Sequence, residues 1–186
     1  MRIILDAMGG DYSPHEIIEG AKLAKRDFDI DIVLVGKKEE LKKHLNENEK
    51  KLFEIIHAEE VVTMDDKPVM AFRRKKHSSI NIGIGLVKDG YGNAFVSAGN
   101  TGAILTSSYF ILGKIVDYIR PTQSAIIPTQ KGFLILVDAG ANVDATPQNL
   151  VQWARMGKIF SKILTKKDKI KIGLLNIGEE EEKGTE

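Results

Sequence analysis

Arg2-Ile3-Ile4-Leu5-Asp6-Ala7-Met8-Gly9-Gly10-Asp11 begins as a near-continuous apolar run and ends on small and polar residues. A short Ile/Leu run that stops at a turn signal fits a strand buried on both faces of a parallel sheet. Residues 13–25 follow with helical periodicity, and Ser13-Pro14 predicts an N-cap with proline at the first helical position. Strand, glycine-rich turn and helix in this order make the first half of a βαβ unit. The rest of the chain repeats the alternation. Residues 31–35, 54–57, 94–97, 125–127, 133–138 and 171–176 predict further strands. Residues 38–46, 69–74, 80–89, 102–112 and 147–164 predict helices, the last opened by Thr146-Pro147. The pattern predicts an α/β fold with a doubly wound, mostly parallel sheet. It contains no internal repeat and no low-complexity linker.

Bulk composition narrows the function classes. The chain has 186 residues, 42% hydrophobic and 28% charged, which suits a soluble globular domain with a real core. A net charge of +1 provides no global field for nucleic acid or a membrane surface, so charge recognition must be local. The absence of cysteine excludes a disulfide framework, a cysteine nucleophile and a thiolate metal site. No apolar run reaches the roughly 18–20 residues of a membrane span, and the first residues carry no signal-peptide pattern, so a cytoplasmic protein is expected. At the other end, the 171–176 strand pattern leads into Gly178, the acidic run 179–182 and Lys183-Gly184-Thr185-Glu186, with no closing helix. The expectation is a truncated chain, with a natural frayed tail as the alternative.

Four predicted strands end in small or polar residues: Asp6-Ala7-Met8-Gly9-Gly10-Asp11, Ser97-Ala98-Gly99-Asn100-Thr101-Gly102, Asp138-Ala139-Gly140-Ala141-Asn142 and Asn176-Ile177-Gly178-Glu179. In a parallel sheet all carboxyl ends of strands lie along one edge, where ligands bind, so the four loops are expected to converge on one crevice. Glycine lets backbone N–H groups approach a ligand, and a helix start adds unpaired donors suited to an anion. Each loop alone is equally an ordinary capped turn. None fits a Walker A loop or the G-x-G-x-x-G dinucleotide spacing, so nicotinamide binding is weakly supported.

Arg73-Arg74-Lys75-Lys76-His77-Ser78-Ser79 is a basic cluster. Such a run serves either as a solvated helix end favourable to the macrodipole or as an anion or acidic-partner site. Arg120-Pro121 adds another cationic point. The histidines, His15, His44, His57 and His77, lack metal-ligand spacing, and no metal site is expected. No G-x-S-x-G elbow is present. Trp153 falls on an amphipathic helical pattern and is expected to pack.

Taken in order, these blocks, with Gly140-Ala141-Asn142-Val143-Asp144 and Gly173-Leu174-Leu175-Asn176-Ile177-Gly178, resemble the bacterial acyl-acyl carrier protein:phosphate acyltransferases of phospholipid synthesis, the PlsX family. The resemblance runs over essentially the whole chain. It implies that residues 1–186 are the N-terminal α/β region of a longer acyltransferase whose C-terminal half is absent. It further implies a fold like the isocitrate and isopropylmalate dehydrogenases, a homodimer, no cofactor, and peripheral membrane association through the half not present here. The implied reaction joins an acyl group from acyl carrier protein to inorganic phosphate. On this basis Asn100, Asn176 and Lys183 are candidates for catalysis. Asp6, Gly9, Gly10, Asp11, Ser97, Gly99, Thr101, Gly102, Asp138 and Asn142 are candidates for phosphate or substrate binding. Arg73, Arg74, Lys75 and Lys76 are candidates for docking the acidic carrier protein. A phosphotransacetylase-like enzyme using acyl-coenzyme A, an oxidoreductase on the related fold, and a non-enzymatic anion-binding scaffold stay open as alternatives.

Overall fold

The computed structural model describes residues 1–116, 120–176 and 178. The chain divides into two compact units, Met1–Gly113 and Lys114–Glu186.

The first unit is built on a four-stranded parallel sheet. Its elements are β1 (Arg2–Asp6), α1 (His15–Phe28), β2 (Asp31–Gly36), α2 (Lys38–Lys43), β3 (Glu54–His57), α3 (Pro68–Arg74), α4 (Ser79–Lys88), β4 (Ala94–Val96) and α5 (Thr101–Ile111). Both faces of the sheet are covered, and β2 shows why its sequence is apolar throughout. Ile32 and Leu34 join Ile18 and Ala21 of α1 and Leu41 of α2 in one cluster. Val33 and Val35, which point the other way, cluster with Ile4 and pack against Ile82 and Leu86 of α4. Each such fully buried aliphatic side chain contributes about 1.5–3 kcal/mol.

Strand order is β3-β2-β1-β4. The chain steps outward from β1 to β3 and then crosses back to the other side of β1. The carboxyl ends of β1 and β4 therefore flank the point where the winding reverses, which is where open α/β sheets place their ligands.

Two expectations about helix starts separate here. Thr146 caps its helix as the sequence predicts, accepting from the Asn149 N–H at 3.3 Å with Pro147 as the first helical residue. Ser13 does not cap α1. Pro14 occupies the N-cap position, and the Ser13 hydroxyl instead donates to the Met8 carbonyl at 3.0 Å, tying the helix start back to the glycine-rich loop.

The second unit departs from the predicted parallel sheet. β5 (Ser124–Thr129) and β6 (Gly132–Val137) pair with each other, antiparallel, as a separate two-stranded sheet. Only Gln130 and Lys131 join them, and so short a connection cannot make a parallel crossover. Gly132 takes the positive φ of 130° that the turn needs. α6 (Pro147–Thr165) packs on β6, where Gly157 lies against Val137. Trp153 is buried, and its Nε1–H donates to the Arg120 carbonyl at 3.1 Å. Residues 171–176 form no strand. Ile172, Leu174 and Leu175 there are exposed, and an apolar run with no neighbouring ladder has nothing to hold it as a strand. Among the described residues no helix is long and apolar enough to cross a membrane.

Candidate anion-binding site

Two of the four glycine-rich loops meet at the β1/β4 switch point. Asp6, the last residue of β1, is buried beneath them. One of its carboxylate oxygens accepts the Met8 N–H at 3.0 Å and the other accepts the Ser97 hydroxyl at 2.7 Å. Ser97 Oγ in turn accepts the Gly99 N–H at 3.0 Å. A buried carboxylate needs such donors, and here they shape both loops at once.

Gly9 is required by this contact. A Cβ on it would lie 2.8 Å from Gly99 N and 2.6 Å from Asp6 Oδ2, too close for any side chain. Gly10 adopts a φ of 101°, and its N–H has no acceptor among the described residues. The same holds for the N–H groups of Thr101 and Gly102, the first two residues of α5. Unpaired donors at a helix start, beside a loop stripped of Cβ atoms, favour an anion. Asp11 and Thr101 are exposed on this rim.

Asn100 is placed differently from the expectation that it faces substrate. It is buried, and its side chain is committed to the scaffold. Oδ1 accepts the Ala103 N–H at 3.0 Å, capping α5. Nδ2 donates to three backbone carbonyls, of Thr63 at 3.1 Å, Met64 at 3.2 Å and Asp66 at 3.0 Å. The turn that supplies those carbonyls lies outside every loop singled out from the sequence. It has no glycine, and its partner is 34 or more residues away, so no local signal reveals it.

The basic cluster splits. Arg73, Arg74 and Lys76 are exposed. Lys75 turns inward, donating to Asp66 Oδ2 at 2.5 Å and to the Val61 carbonyl at 2.9 Å. The Lys75 ammonium, with the Thr63 N–H, holds the Asp66 carboxyl below its ordinary range. Lys75 is therefore not available to a docking partner in this arrangement.

The expectation of four loops on one sheet edge is not met. Asp138 and Asn142 follow β6, which is not a strand of the parallel sheet, and Asn176 follows no strand. Asp138 organises its own loop. It accepts from the N–H groups of Gln123, Ala141 and Asn142 at 3.0, 3.1 and 2.7 Å and from Asn142 Nδ2 at 2.9 Å. Burial pushes its carboxyl up, but the bonds from Asn142, Gln123 and Ala141 outweigh it and bring it down to about 2. Asn176 Nδ2 donates to the Gly178 carbonyl at 3.0 Å. Lys183 lies outside the described residues. Among the described residues no group of three or more His, Asp or Glu is placed to hold a metal ion.

Comparison with known proteins gives this geometry a family. The chain is 49% identical over 187 residues to the phosphate acyltransferase of Desulforamulus reducens, covering 100% of itself and 56% of that relative. It is 47% identical over 186 residues to the phosphate acyltransferase of Thermoanaerobacterium thermosaccharolyticum, covering 100% of itself and 55% of that relative. It thus spans about half the length of the curated relatives it matches. Among solved structures, a branched-chain phosphotransacylase from Enterococcus faecalis V583 superposes with a TM-score of 0.55 at 13% identity, over 89% of this chain and 52% of that one. At that identity the likeness speaks for the α/β fold alone. The fatty acid synthesis protein family model matches residues 1–186, and the chain belongs to that family.

Proposed function

We propose that this chain carries the phosphate-binding part of an acyltransferase that makes acyl phosphate from acyl-acyl carrier protein and inorganic phosphate, a step of phospholipid synthesis. The observation that carries it is the β1/β4 switch point, where Gly9 and Gly99 bring two loops together and the N–H groups of Gly10, Thr101 and Gly102 are left for an anion. The similarity to phosphate acyltransferases agrees with the chemistry.

In the proposed reaction a phosphate oxygen attacks the thioester carbonyl carbon. The tetrahedral oxyanion collapses, the C–S bond breaks, and the carrier thiolate leaves and takes up a proton. Phosphate is already ionised near neutral pH, and a thiol of pKa about 8.5 leaves without strong acid help. The protein must hold phosphate against the carbonyl and stabilise the oxyanion. Gly10, Thr101 and Gly102 N–H groups serve the first task, with Asp6, Ser97 and Asn100 fixing the backbone that presents them. Lys183 and Asn176 are proposed for the oxyanion, and Asp138 and Asn142 for phosphate or substrate binding through the loop after β6. Arg73, Arg74 and Lys76 are proposed to steer the acidic carrier protein. The isocitrate dehydrogenase-like fold, the homodimer and peripheral membrane association belong to the whole protein in this reading, and a cytoplasmic location goes with it.

The test is phosphate-dependent release of free carrier protein by the full-length protein. Turnover that saturates with phosphate and needs acyl carrier protein rather than acyl-coenzyme A is the expected result. Turnover with acyl-coenzyme A alone would favour a phosphotransacetylase, and no turnover with either donor would leave only an anion-binding scaffold.

A further inference from the structure

Residues Thr63 to Asp66 form a turn that Lys75 holds through Asp66. Asp66 Oδ2 accepts the Thr63 N–H at 2.7 Å and the Thr63 hydroxyl at 3.2 Å, closing the turn. The Thr63, Met64 and Asp66 carbonyls converge on the Asn100 amide. Just beyond the turn, Pro68 covers the start of α5: a Cβ on Gly102 would lie 2.5 Å from Pro68 Cγ. The first turn of α5, which presents the unpaired N–H groups, is therefore strapped from outside by residues 63–68.

Lys75 reaches this helix by two routes. Its ammonium holds the strap through Asp66 and Val61. Its carbonyl accepts Asn81 Nδ2 at 2.9 Å, and Asn81 Oδ1 accepts the buried Ser107 hydroxyl at 2.6 Å. Ser107 lies on α5 two turns after Asn100, on the same face. The strap gathers three carbonyl oxygens, held by the Asn100 amide, and the Asp66 carboxylate, and among the described residues Lys75 is the one cation paired with that carboxylate. Removing that charge takes the cation from the Asp66 carboxylate and the donor from the Val61 carbonyl, and leaves the strap closed by the Thr63 and Asn100 bonds alone.

We infer that Lys75 is a positioning residue, which keeps the N-terminal turn of α5 set for phosphate by clamping the 63–66 strap onto Asn100. The inference rests on the phosphate reading of that helix end. Lys75 touches no substrate in it. Its effect travels through Asp66 and Asn100, and a displacement near 1 Å at such a site can cost on the order of 100-fold in rate.

The test uses the full-length protein with Lys75→Gln, Lys75→Arg and Asp66→Asn, and Lys88→Gln as a surface control. Two quantities are read: the KM for inorganic phosphate against kcat, and hydrogen exchange of the Ala103 and Ile104 N–H groups, which bond to Asn100. Lys75→Gln is expected to raise the phosphate KM about tenfold or more and to speed exchange at those amides by a similar factor. Lys75→Arg should recover part of both effects, because a guanidinium can still pair with Asp66. Asp66→Asn should move both in the same direction, and it decides the matter if Lys75→Gln does not fold. Lys88→Gln should stay within about twofold. A raised KM with unchanged exchange would mean direct phosphate contact and overturn the positioning role. Faster exchange with an unchanged KM would overturn the link to the site. If the wild-type protein shows no phosphate-dependent turnover, the phosphate reading fails instead, and that outcome is visible before any variant is made.

Discussion

Asn100→Asp isolates what the Asn100 side chain does. At an ordinary N-cap the two residues are nearly equivalent, because each offers an oxygen to the first-turn N–H groups and Asp also suits the helix dipole. Here the oxygen bonded to the Ala103 N–H survives the change. The nitrogen does not. Three carbonyl oxygens lie 3.0–3.2 Å from it, and aspartate would set a carboxylate oxygen among them. Two N–H donors are lost, at about 1 kcal/mol each, and the carbonyls they served are left buried at a further cost of about 1–3 kcal/mol. The expected loss is about 3–5 kcal/mol before relaxation, and about 2 kcal/mol if water enters the strap. Urea titration followed by far-UV circular dichroism measures it, with Asn100→Ser as the companion that keeps a capping oxygen without placing a charge. Asp should be the worse of the two, and more so at neutral pH than at pH 4, where the carboxyl can protonate and donate. If Asn100→Asp lies within about 0.5 kcal/mol of the wild type, as at a common cap, then the three-carbonyl contact does not hold the loop.

Other changes test neighbouring features. Gly9→Ala should cost about 1–3 kcal/mol, because the new Cβ collides with backbone at Gly99 rather than with a movable side chain, and phosphate-dependent turnover should fall with it; an unaffected urea midpoint would refute the close approach. Asp138 lies below its ordinary 3.8, at about 2, so the stability it adds is present above pH 4 and disappears as the pH falls through about 2. The gap between wild type and Asp138→Asn, read from the fluorescence of Trp153, the sole tryptophan, should be about 2 kcal/mol near pH 6 and shrink towards pH 2; a gap that widens in acid has the wrong sign. Arg73→Glu with Arg74→Glu should weaken carrier-protein binding strongly at low salt and little at high salt, whereas a salt-independent constant would argue against electrostatic steering. Gly132→Val should destabilise the hairpin by about 1–3 kcal/mol, because a β-branched residue resists a φ of 130°; a neutral effect would show that the turn can re-form.

Much of the first unit was legible because its signals are local. Near-continuous apolar runs at β1 and β2 mark strands covered on both sides, and the paired helices follow at the predicted places. The glycines at 9 and 10 and at 99 and 102 announced close backbone approach without saying to what. Other signals misled for identifiable reasons. Ser13-Pro14 has the composition of a cap, but the Met8 carbonyl competes for the hydroxyl. Residues 125–127 and 133–138 have strand composition in either direction, and only the two-residue connection fixes them as antiparallel. Lys75 looks like its exposed neighbours in the basic run until Asp66, nine residues earlier, is brought beside it.

Local residue patterns are enough to establish an α/β protein with strand-end glycine loops, because strand burial, turn freedom and helix starts depend on residues within a few positions of one another. It takes the tertiary structure to show that the β1 and β4 loops meet. That meeting depends on strand order, and β1 and β4 become neighbours through a return crossover that no local pattern encodes. The same long-range placement put Ser97 on Asp6 across 91 residues and turned the Asn100 amide away from the ligand side and onto the 63–66 strap, since hydrogen bonding is settled by what space brings within 3 Å and not by distance along the chain.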